Sequence, residues 1–271
     1  MKKRTALILS VLLLLPVLVS CGGTDANTIK VAATSTPHAE ILEICKDAMA
    51  AKGYTLQIEV VSDYITPNDF TESGDVLANY FQHKPYLDDY NTSNNAHLIP
   101  VAAVHYEPYC IYKGTVDSLS ELEDGAAIAV PNDPSNEARA LQLLAAQGLF
   151  TLREGAGLTA TKNDIIDNPH NYDIREMEAA LLPTVLDEVA VAVINGNYAL
   201  GANLSADDVL ASEDAASEAA QTFANVLVVK EGNENDPRVL ALVEALLSDA
   251  VHEYITNTYN GAVVPIFLSR N

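Results

Sequence analysis

Positive charge is scarce in this chain of 271 residues, which has 15 lysines and arginines against 37 aspartates and glutamates. The formal net charge at pH 7 is −22. A surface of that sign repels nucleic acid and anionic lipid headgroups, and it does not steer anionic ligands toward the protein. Nucleic acid is therefore excluded as a partner. Any site for an anionic group must be local, built from a few donors.

The short motifs that carry most enzyme chemistry are also missing. The sequence has no G-x-S-x-G elbow, no H-E-x-x-H, no C-x-x-C and no G-x-x-x-x-G-K-[ST] phosphate loop. Its six histidines are scattered without metal-ligand spacing. We therefore predict no catalytic residue, no cofactor and no bound metal. A metal site made of His83, His105 and Glu107 remains as an alternative.

Cysteine occurs only three times, at positions 21, 45 and 110. Cys45 and Cys110 lie in different segments, and such cysteines are more often separate small buried residues than a bridge. A disulfide between them stays open, because the sequence gives no Cα separation by which to judge it.

The N-terminus has the pattern of a secretory signal. Residues 1–4 carry three cations, and residues 6–20 form an almost unbroken apolar run that is shorter than the roughly 20 residues of a membrane-spanning helix. The segment "LVSC", residues 18–21, favours a lipobox, after which Cys21 is acylated. We predict a signal peptide at 1–20, a lipid anchor at Cys21 and a linker over 21–28. An ordinary signal peptide that contains a cysteine is the alternative. Removal of the three cations makes the mature net charge −25.

Strand-like and helix-like segments alternate after residue 28, which is typical of an α/β domain. A short buried strand, "IKVAA", precedes an amphipathic helix and the alternating strand "TLQIEVV", forming a βαβ unit. The segment "LIPVAAVHYEPYCIY" (98–112) is interpreted as a long strand pair. "DPRVLALVEALLSDAVHEYI" is interpreted as one final helix capped by Asp236. The stretch "ASEDAASEAAQ" (211–221) is assigned no function.

Polar clusters follow three of the predicted strands: "SDYITPN", "PNDPSNEAR" and "NGNYA". Open α/β sheets bind ligands outside the carboxyl ends of their strands. In the second cluster Arg139 stands near a helix N-terminus, where exposed N–H groups and a planar guanidinium favour a small carboxylate. A surface ion pair of Arg139 with a nearby acid is the alternative. A fourth stretch, "NYFQHKPYL" (79–87), is suited to forming an aromatic wall.

Eight segments in order resemble the NLPA lipoprotein family, the methionine-binding lipoproteins of ABC importers. They are "PHAEILE", "VSDYITPN", "GDVLANYFQHKPYLDDYN", "VHYEPYCIY", "SLSELEDGAAIAVPNDPSNEARALQLL", "AVINGNYAL", "NVLVVKEGNENDP" and "GAVVPIF". The resemblance runs from about residue 29 to 267.

This resemblance implies an α/β fold of the periplasmic-binding-protein type II kind, with the ligand in a cleft between two lobes. Lobe 1 is expected at 29–106 plus 225–271 and lobe 2 at 107–224. The chain would cross between them near residues 106–108 and again near 223–225. Closure about these crossings is the expected motion.

The resemblance also implies the ligand and the residues that hold it. The ligand would be L-methionine or a related amino acid. An aromatic slot for the thioether is expected from Tyr64, Phe81, His83 and Tyr86. Arg139 and Asn136 would take the carboxylate, and Asn195 and Asn225 would complete the hold on the backbone atoms. The protein is expected to be a lipid-anchored monomer on the extracytoplasmic face of the membrane, delivering its ligand to an ABC permease and its ATPase.

Two departures from the family pattern bear on the ligand. Tyr109 and Cys110 stand where smaller or more apolar residues are expected, and Asn197 adds an amide near the site. Another amino acid or a methionine-containing dipeptide is therefore an alternative ligand.

Overall fold

The computed structural model describes residues 26–214 and 222–268. The predicted signal peptide, residues 1–20, and the predicted lipid anchor, Cys21, lie outside the described residues. Within the described ranges, no helix is long and apolar enough to cross a membrane.

The strands of the described residues form two main sheets and a small hairpin-like pair. They are β1 (Thr28–Thr34), β2 (Thr55–Val61), β3 (Ala78–His83), β4 (Leu98–Tyr106), β5 (Cys110–Lys113), β6 (Ala127–Pro131), β7 (Thr151–Leu152), β8 (Ile165–Asp167), β9 (Asp173–Met177), β10 (Val191–Ile194), β11 (Val209–Ser212), β12 (Asn225–Lys230) and β13 (Val264–Leu268).

The α-helices that the structure describes cover both lobes. They are α1 (Glu40–Ala51), α2 (Thr66–Ser73), α3 (Lys84–Asn94), α4 (Pro134–Ala146), α5 (Gly196–Gly201), α6 (Pro237–Leu246) and α7 (Asp249–Tyr259). A short helical turn covers Ser35–Ala39, and a 3₁₀ segment covers Ala179–Glu188.

The first sheet has the order β13-β4-β12-β3-β1-β2. Strand β1 pairs parallel with β2 and β3, whereas β12 runs antiparallel between β3 and β4. Helix α1 buries Ile41, Cys45 and Met49, which lie four residues apart and so share one face. These side chains join the apolar residues of β1, such as Val31, in one continuous core.

The second sheet has the order β11-β5-β10-β6-β9. Strand β6 lies parallel to β9 and β10, and β5 runs antiparallel to β10. Helix α4 packs Leu141 and Leu144 onto Ile128 and Val130 of β6. Its start follows the sequence signals, because Pro134 stands in the first turn and the Asp133 side chain accepts from the Asn136 N–H group.

The chain passes between the sheets twice. Strand β4 belongs to the first sheet and β5 to the second, so residues 107–109 form one crossing. The return lies between β11 and β12. The prediction of a two-lobed α/β fold is confirmed. The prediction of a strand pair over residues 98–112 is wrong, because β4 and β5 pair with strands of different sheets.

Two further expectations change. The predicted final helix is two helices, since Ser248 accepts from the Val251 N–H group and begins α7 as a new N-cap. The alternative of a Cys45–Cys110 disulfide is wrong. Both cysteines are free, because Cys45 is buried in α1 beside the first sheet whereas Cys110 begins β5 in the second.

Candidate functional site

A cavity lies between the two lobes. Its empty volume is about 360 Å³ when the space at its open mouth is included. It is lined by Tyr64, Phe81, Gln82, His83, Tyr86, Glu107, Asn136, Arg139, Asn195, Gly196, Asn197 and Asn225. The structure therefore brings all eight predicted ligand-binding residues to one cavity. The family resemblance did not supply Gln82, Glu107 or Gly196.

An aromatic wall forms the side of the cavity contributed by the first lobe. Phe81 lies in β3, Tyr86 lies in the first turn of α3, and Tyr64 precedes α2. The ring centroid of Tyr64 lies 5.8 Å from that of Phe81 and 5.7 Å from that of Tyr86. Rings at these distances attract one another in tilted or edge arrangements, so the three side chains support each other. The wall offers polarizable apolar surface to a ligand.

The loop that carries Tyr64 is held firmly. The Asp63 carboxylate accepts from the N–H groups of Ile65 (2.8 Å) and Thr66 (2.7 Å), which fixes the turn before α2. The Tyr86 hydroxyl donates to the Tyr64 carbonyl at 2.9 Å. The aromatic wall is thereby preorganised.

His83 links the wall to the second lobe. Its Nδ1 accepts from the Tyr86 N–H group at 3.2 Å, so it serves as the N-cap of α3. Its Nε2 therefore carries the hydrogen and donates to Asn136 Oδ1 at 3.0 Å. Burial, followed by the neighbouring Arg139 cation, lowers the pKa of His83 to about 4. His83 is thus neutral at pH 7.

Asn136 joins three groups of the site. Its Oδ1 accepts from His83 and also from Asn195 Nδ2 at 2.9 Å, and its own amide donates to Asp133 at 2.8 Å. The structure thus places the Asn136 side chain as a connector between His83, Asn195 and the N-cap of α4. Its predicted contact with a ligand carboxylate stays a prediction.

Arg139 is the charged centre of the second lobe's side of the cavity. It is only 4% exposed, and its guanidinium lies over the rings of Phe223 (4.2 Å) and Tyr109 (4.6 Å). Its Nε and Nη2 donate to Glu213 at 2.9 and 2.5 Å. Nη2 also donates to the Glu107 carbonyl at 3.0 Å. Among the residues that the structure describes, no acceptor lies within hydrogen-bond geometry of Nη1.

Arg139 and Glu213 form an ion pair in which both side chains are largely buried. The alternative of a surface ion pair for Arg139 therefore does not describe it. The Tyr106 hydroxyl and the Tyr109 N–H group also donate to Glu213. Burial alone would raise the pKa of Glu213, but these bonds and Arg139 hold it below its usual value. The sequence reasoning missed Glu213, which lies in the stretch that was assigned no function.

Glu107 supplies a buried carboxylate on the crossing segment. His105 Nε2 donates to its Oε1 at 2.8 Å, and His38 Nε2 lies 3.6 Å from the same atom. Burial would raise the pKa of Glu107, but the His105 hydrogen bond and His38 outweigh it and lower the pKa. The carboxylate approaches Gly196 so closely that a Cβ there would lie 2.6 Å from Oε2. An alanine at position 196 would therefore require the Glu107 side chain to move.

The cluster of His38, His105 and Glu107 is the one place in the described chain where three potential metal ligands converge, within 4.8 Å. His83 does not belong to it, so the alternative set of His83, His105 and Glu107 is wrong. The four ring nitrogens already have partners: Thr34 and Asn225 for His38, and Tyr80 and Glu107 for His105. The two histidines therefore act in a hydrogen-bond network around the Glu107 carboxylate. His38, His105 and Glu107 are also the described residues whose potential metal-ligand atoms lie close together.

Asn225 connects this cluster to the cavity. It begins β12, and its Oδ1 accepts from His38 Nε2 at 3.0 Å. On the opposite lobe, Asn195 follows β10, and its Oδ1 accepts from the Tyr109 hydroxyl at 3.4 Å. Each amide thus has its oxygen held by the protein.

Comparison with known proteins gives consistent matches over nearly the whole chain. A sequence profile of the NlpA lipoprotein family matches residues 29–267. Membrane lipoprotein TpN32 of Treponema pallidum is 44% identical over 247 residues, 91% of either chain. D-methionine-binding lipoprotein MetQ of Escherichia coli is 39% identical over 254 residues, 91% of this chain and 92% of MetQ. The structure of a nutrient-binding protein from Burkholderia cenocepacia bound to methionine is similar with a TM-score of 0.84 and 39% identity, covering 88% of this chain and all of that chain.

Proposed function

Because the chain belongs to the NlpA lipoprotein family, we propose that it is a lipid-anchored substrate-binding protein that captures L-methionine or a related amino acid. It delivers this ligand to an ABC permease and its ATPase. The observation that carries the proposal is the cavity between the lobes, which presents a buried guanidinium, a buried carboxylate and an aromatic wall together. A zwitterion with an apolar side chain matches all three.

The Glu107 carboxylate is the group for the ligand ammonium. It is ionised and buried, and its position is set by His105 on one side and by Gly196 on the other. An ionised hydrogen-bond acceptor shielded from water binds an ammonium more strongly than a neutral one does.

The ligand carboxylate lies toward Arg139. Nη1 of Arg139 and the amide nitrogens of Asn195 and Asn225 are the hydrogen-bond donors that the cavity lining offers to this carboxylate. The oxygen of each amide already accepts a hydrogen bond from the protein. Backbone and side chain of the ligand are thus separated. The aromatic wall of Tyr64, Phe81 and Tyr86 takes the side chain, where a thioether gains roughly 0.3 to 1.5 kcal/mol per aromatic contact.

The wider arrangement follows from the same proposal. Cys21 carries the lipid, and residues 21–28 are the tether. Lobe 1 comprises 29–106 plus 225–271, lobe 2 comprises 107–224, and the protein acts as a monomer that closes over its ligand. Hydrogen bonds between the lobes, such as that from His83 to Asn136, support closure over the ligand, because they form only when the two lobes lie close together.

The test is thermal unfolding and calorimetry of residues 22–271 after bound ligand has been stripped by partial denaturation and dialysis. The panel holds the twenty amino acids, D-methionine, methionine dipeptides, L-methioninamide and N-acetyl-L-methionine. A ligand at 100 times its Kd should stabilise the fold by about 2.7 kcal/mol. L-methionine should give such a shift, and N-acetylation should cost more affinity than amidation, since it removes the charge that faces Glu107.

A Glu107→Gln variant tests the role of the carboxylate charge. It keeps the size of the side chain and removes its charge, so we expect at least a tenfold loss of methionine affinity, in line with the roughly 1.5–3 kcal/mol of a charged hydrogen bond. A chain that responds to no amino acid but to a dipeptide would retain the transport role with another ligand. A chain that responds to none of the panel would refute the proposal.

A further inference from the structure

A second contact between the lobes lies at the edge of the cavity. From the first lobe it uses Ser62 and Tyr64, on the loop between β2 and α2. From the second lobe it uses Asn197 and Tyr198, in the first turn of α5. The Tyr64 hydroxyl donates to Asn197 Oδ1. The Tyr198 hydroxyl donates to the Ser62 carbonyl at 3.2 Å.

The same two tyrosines also stack on each other. Their ring centroids lie 4.8 Å apart with an interplanar angle of 33°. Tyr64 therefore contacts the cavity and Phe81 on one side and Tyr198 on the other. Burial raises the pKa of both phenols, so each remains a hydrogen-bond donor across the physiological range.

Tyr198 contacts the first lobe without lining the cavity. It lies instead in an open groove on the outer side of the contact, with Val60, Asp63 and Glu178. A ligand held between Glu107 and the aromatic wall is separated from it by Tyr64 and Asn197. Any effect of Tyr198 on binding must therefore act through the position of the lobes.

We propose that Ser62, Tyr64, Asn197 and Tyr198 form a closure latch, in which Tyr198 is a positioning residue that sets affinity for every ligand by the same factor. This inference rests on the proposed binding function. Its contacts exist only while the lobes are together, because each of them joins one lobe to the other. The loop from Asp63 to Thr66 is already fixed within its own lobe, so little additional order is needed when the latch forms.

The uniform factor follows from a two-state equilibrium. When only the closed form holds the ligand tightly, the apparent Kd is the intrinsic Kd divided by the closed fraction. A closed-only contact changes that fraction and leaves the ligand contacts unchanged. Loss of one neutral hydrogen bond should raise Kd roughly threefold to tenfold. Most of this change should appear in the dissociation rate.

The experiment compares Tyr198→Phe, which removes only the hydrogen bond to Ser62, with Tyr198→Ala, which also removes the stacked ring. Tyr90→Phe is the matched control, because the Tyr90 hydroxyl donates to Asp69 within the first lobe. Kd and dissociation rate are measured by calorimetry and stopped flow for three ligands: L-methionine, its closest-binding analogue in the panel, and L-methioninamide.

We expect Tyr198→Phe to raise all three Kd values by one common factor of about three to ten, and Tyr198→Ala to raise each of them further. Tyr90→Phe should lower the melting temperature and leave every Kd unchanged. Unchanged Kd values in both Tyr198 variants would overturn the latch. A factor that differs among the ligands in Tyr198→Phe would also overturn it, because this variant keeps the ring beside Tyr64, and an effect through lobe position alone is the same for every ligand.

Failure of the proposed function gives a different result, because the wild-type protein would then bind nothing. Failure of the latch leaves wild-type binding intact and shows only in the Tyr198 variants.

Discussion

The buried neutral histidines of the site predict a specific acid sensitivity of the fold. Burial lowers the pKa of His83 from its ordinary value of 6.5 to about 4, and burial does the same for His38. In the unfolded chain both histidines titrate near 6.5. As the pH falls below 6.5 the unfolded state takes up these protons first, so stability is full above that pH and is lost progressively down to about pH 4.

The size of the effect follows from the two pKa values. Between pH 7 and pH 5 the unfolded histidine becomes almost fully protonated while the folded one stays neutral, which costs about 2 kcal/mol of unfolding free energy per histidine. Protonation of folded His83 is opposed because Nδ1 would lose the bond from the Tyr86 N–H group and a second cation would stand beside Arg139. His38 is opposed by its burial and by His105, against the favourable Glu107 carboxylate.

The assay is chemical unfolding of the ligand-free protein at pH 7 and pH 5. His83→Asn retains an N-cap acceptor, and it should lose about 2 kcal/mol less stability over this interval than the wild type does. His38→Gln should behave in the same way. Equal losses in His83→Asn and the wild type would refute the reasoning that His83 is held neutral.

Two shorter predictions concern the cavity. Phe81→Ala should weaken L-methionine severalfold more than L-alanine, measured by calorimetry, because only the longer side chain reaches the aromatic wall; equal losses would argue against that wall as the thioether slot. Gly196→Ala should lower affinity for all amino acids at least tenfold while the apo melting temperature shifts little. The new Cβ would lie 2.6 Å from Glu107 Oε2 and would push the carboxylate out of position. Unchanged affinity would show that Glu107 is not required in its present place.

Strand ends were a good guide to the cavity. The clusters "SDYITPN", "PNDPSNEAR" and "NGNYA" each follow a strand, and they contribute Tyr64, Arg139 and Asn195 to one site. The rule works because the carboxyl ends of parallel strands meet at one edge of a sheet. The aromatic wall was found in the same local way, since Phe81, His83 and Tyr86 lie within six residues.

Such reasoning did not place either carboxylate at the cavity, although Glu107 belonged to the alternative metal set. The chain has 37 acidic residues, and neither Glu107 nor Glu213 belongs to a motif that separates it from the others. What distinguishes them is burial against partners far away in the chain: Gly196 for Glu107 and Arg139 for Glu213. Distant pairings of this kind depend on how the two lobes meet. The break before α7 is a different case, because Ser248 is a favoured N-cap residue and its signal was present in the sequence.

The charges of the closed site explain why the ammonium should dominate recognition. A buried arginine without a counter-ion would be costly in the empty protein, and Glu213 removes that cost by pairing with it. The ion pair therefore carries almost no net charge toward a ligand. The ligand carboxylate is stabilised mainly by hydrogen bonds from Nη1 and the amides, and less by electrostatic attraction. Glu107 is different, since the side chains that contact its carboxylate, His38 and His105, are imidazoles and the first of them is neutral at pH 7. An ammonium supplies the charge that this carboxylate lacks, and in a chain of net charge −22 it is also the end of a zwitterion that the surrounding field favours.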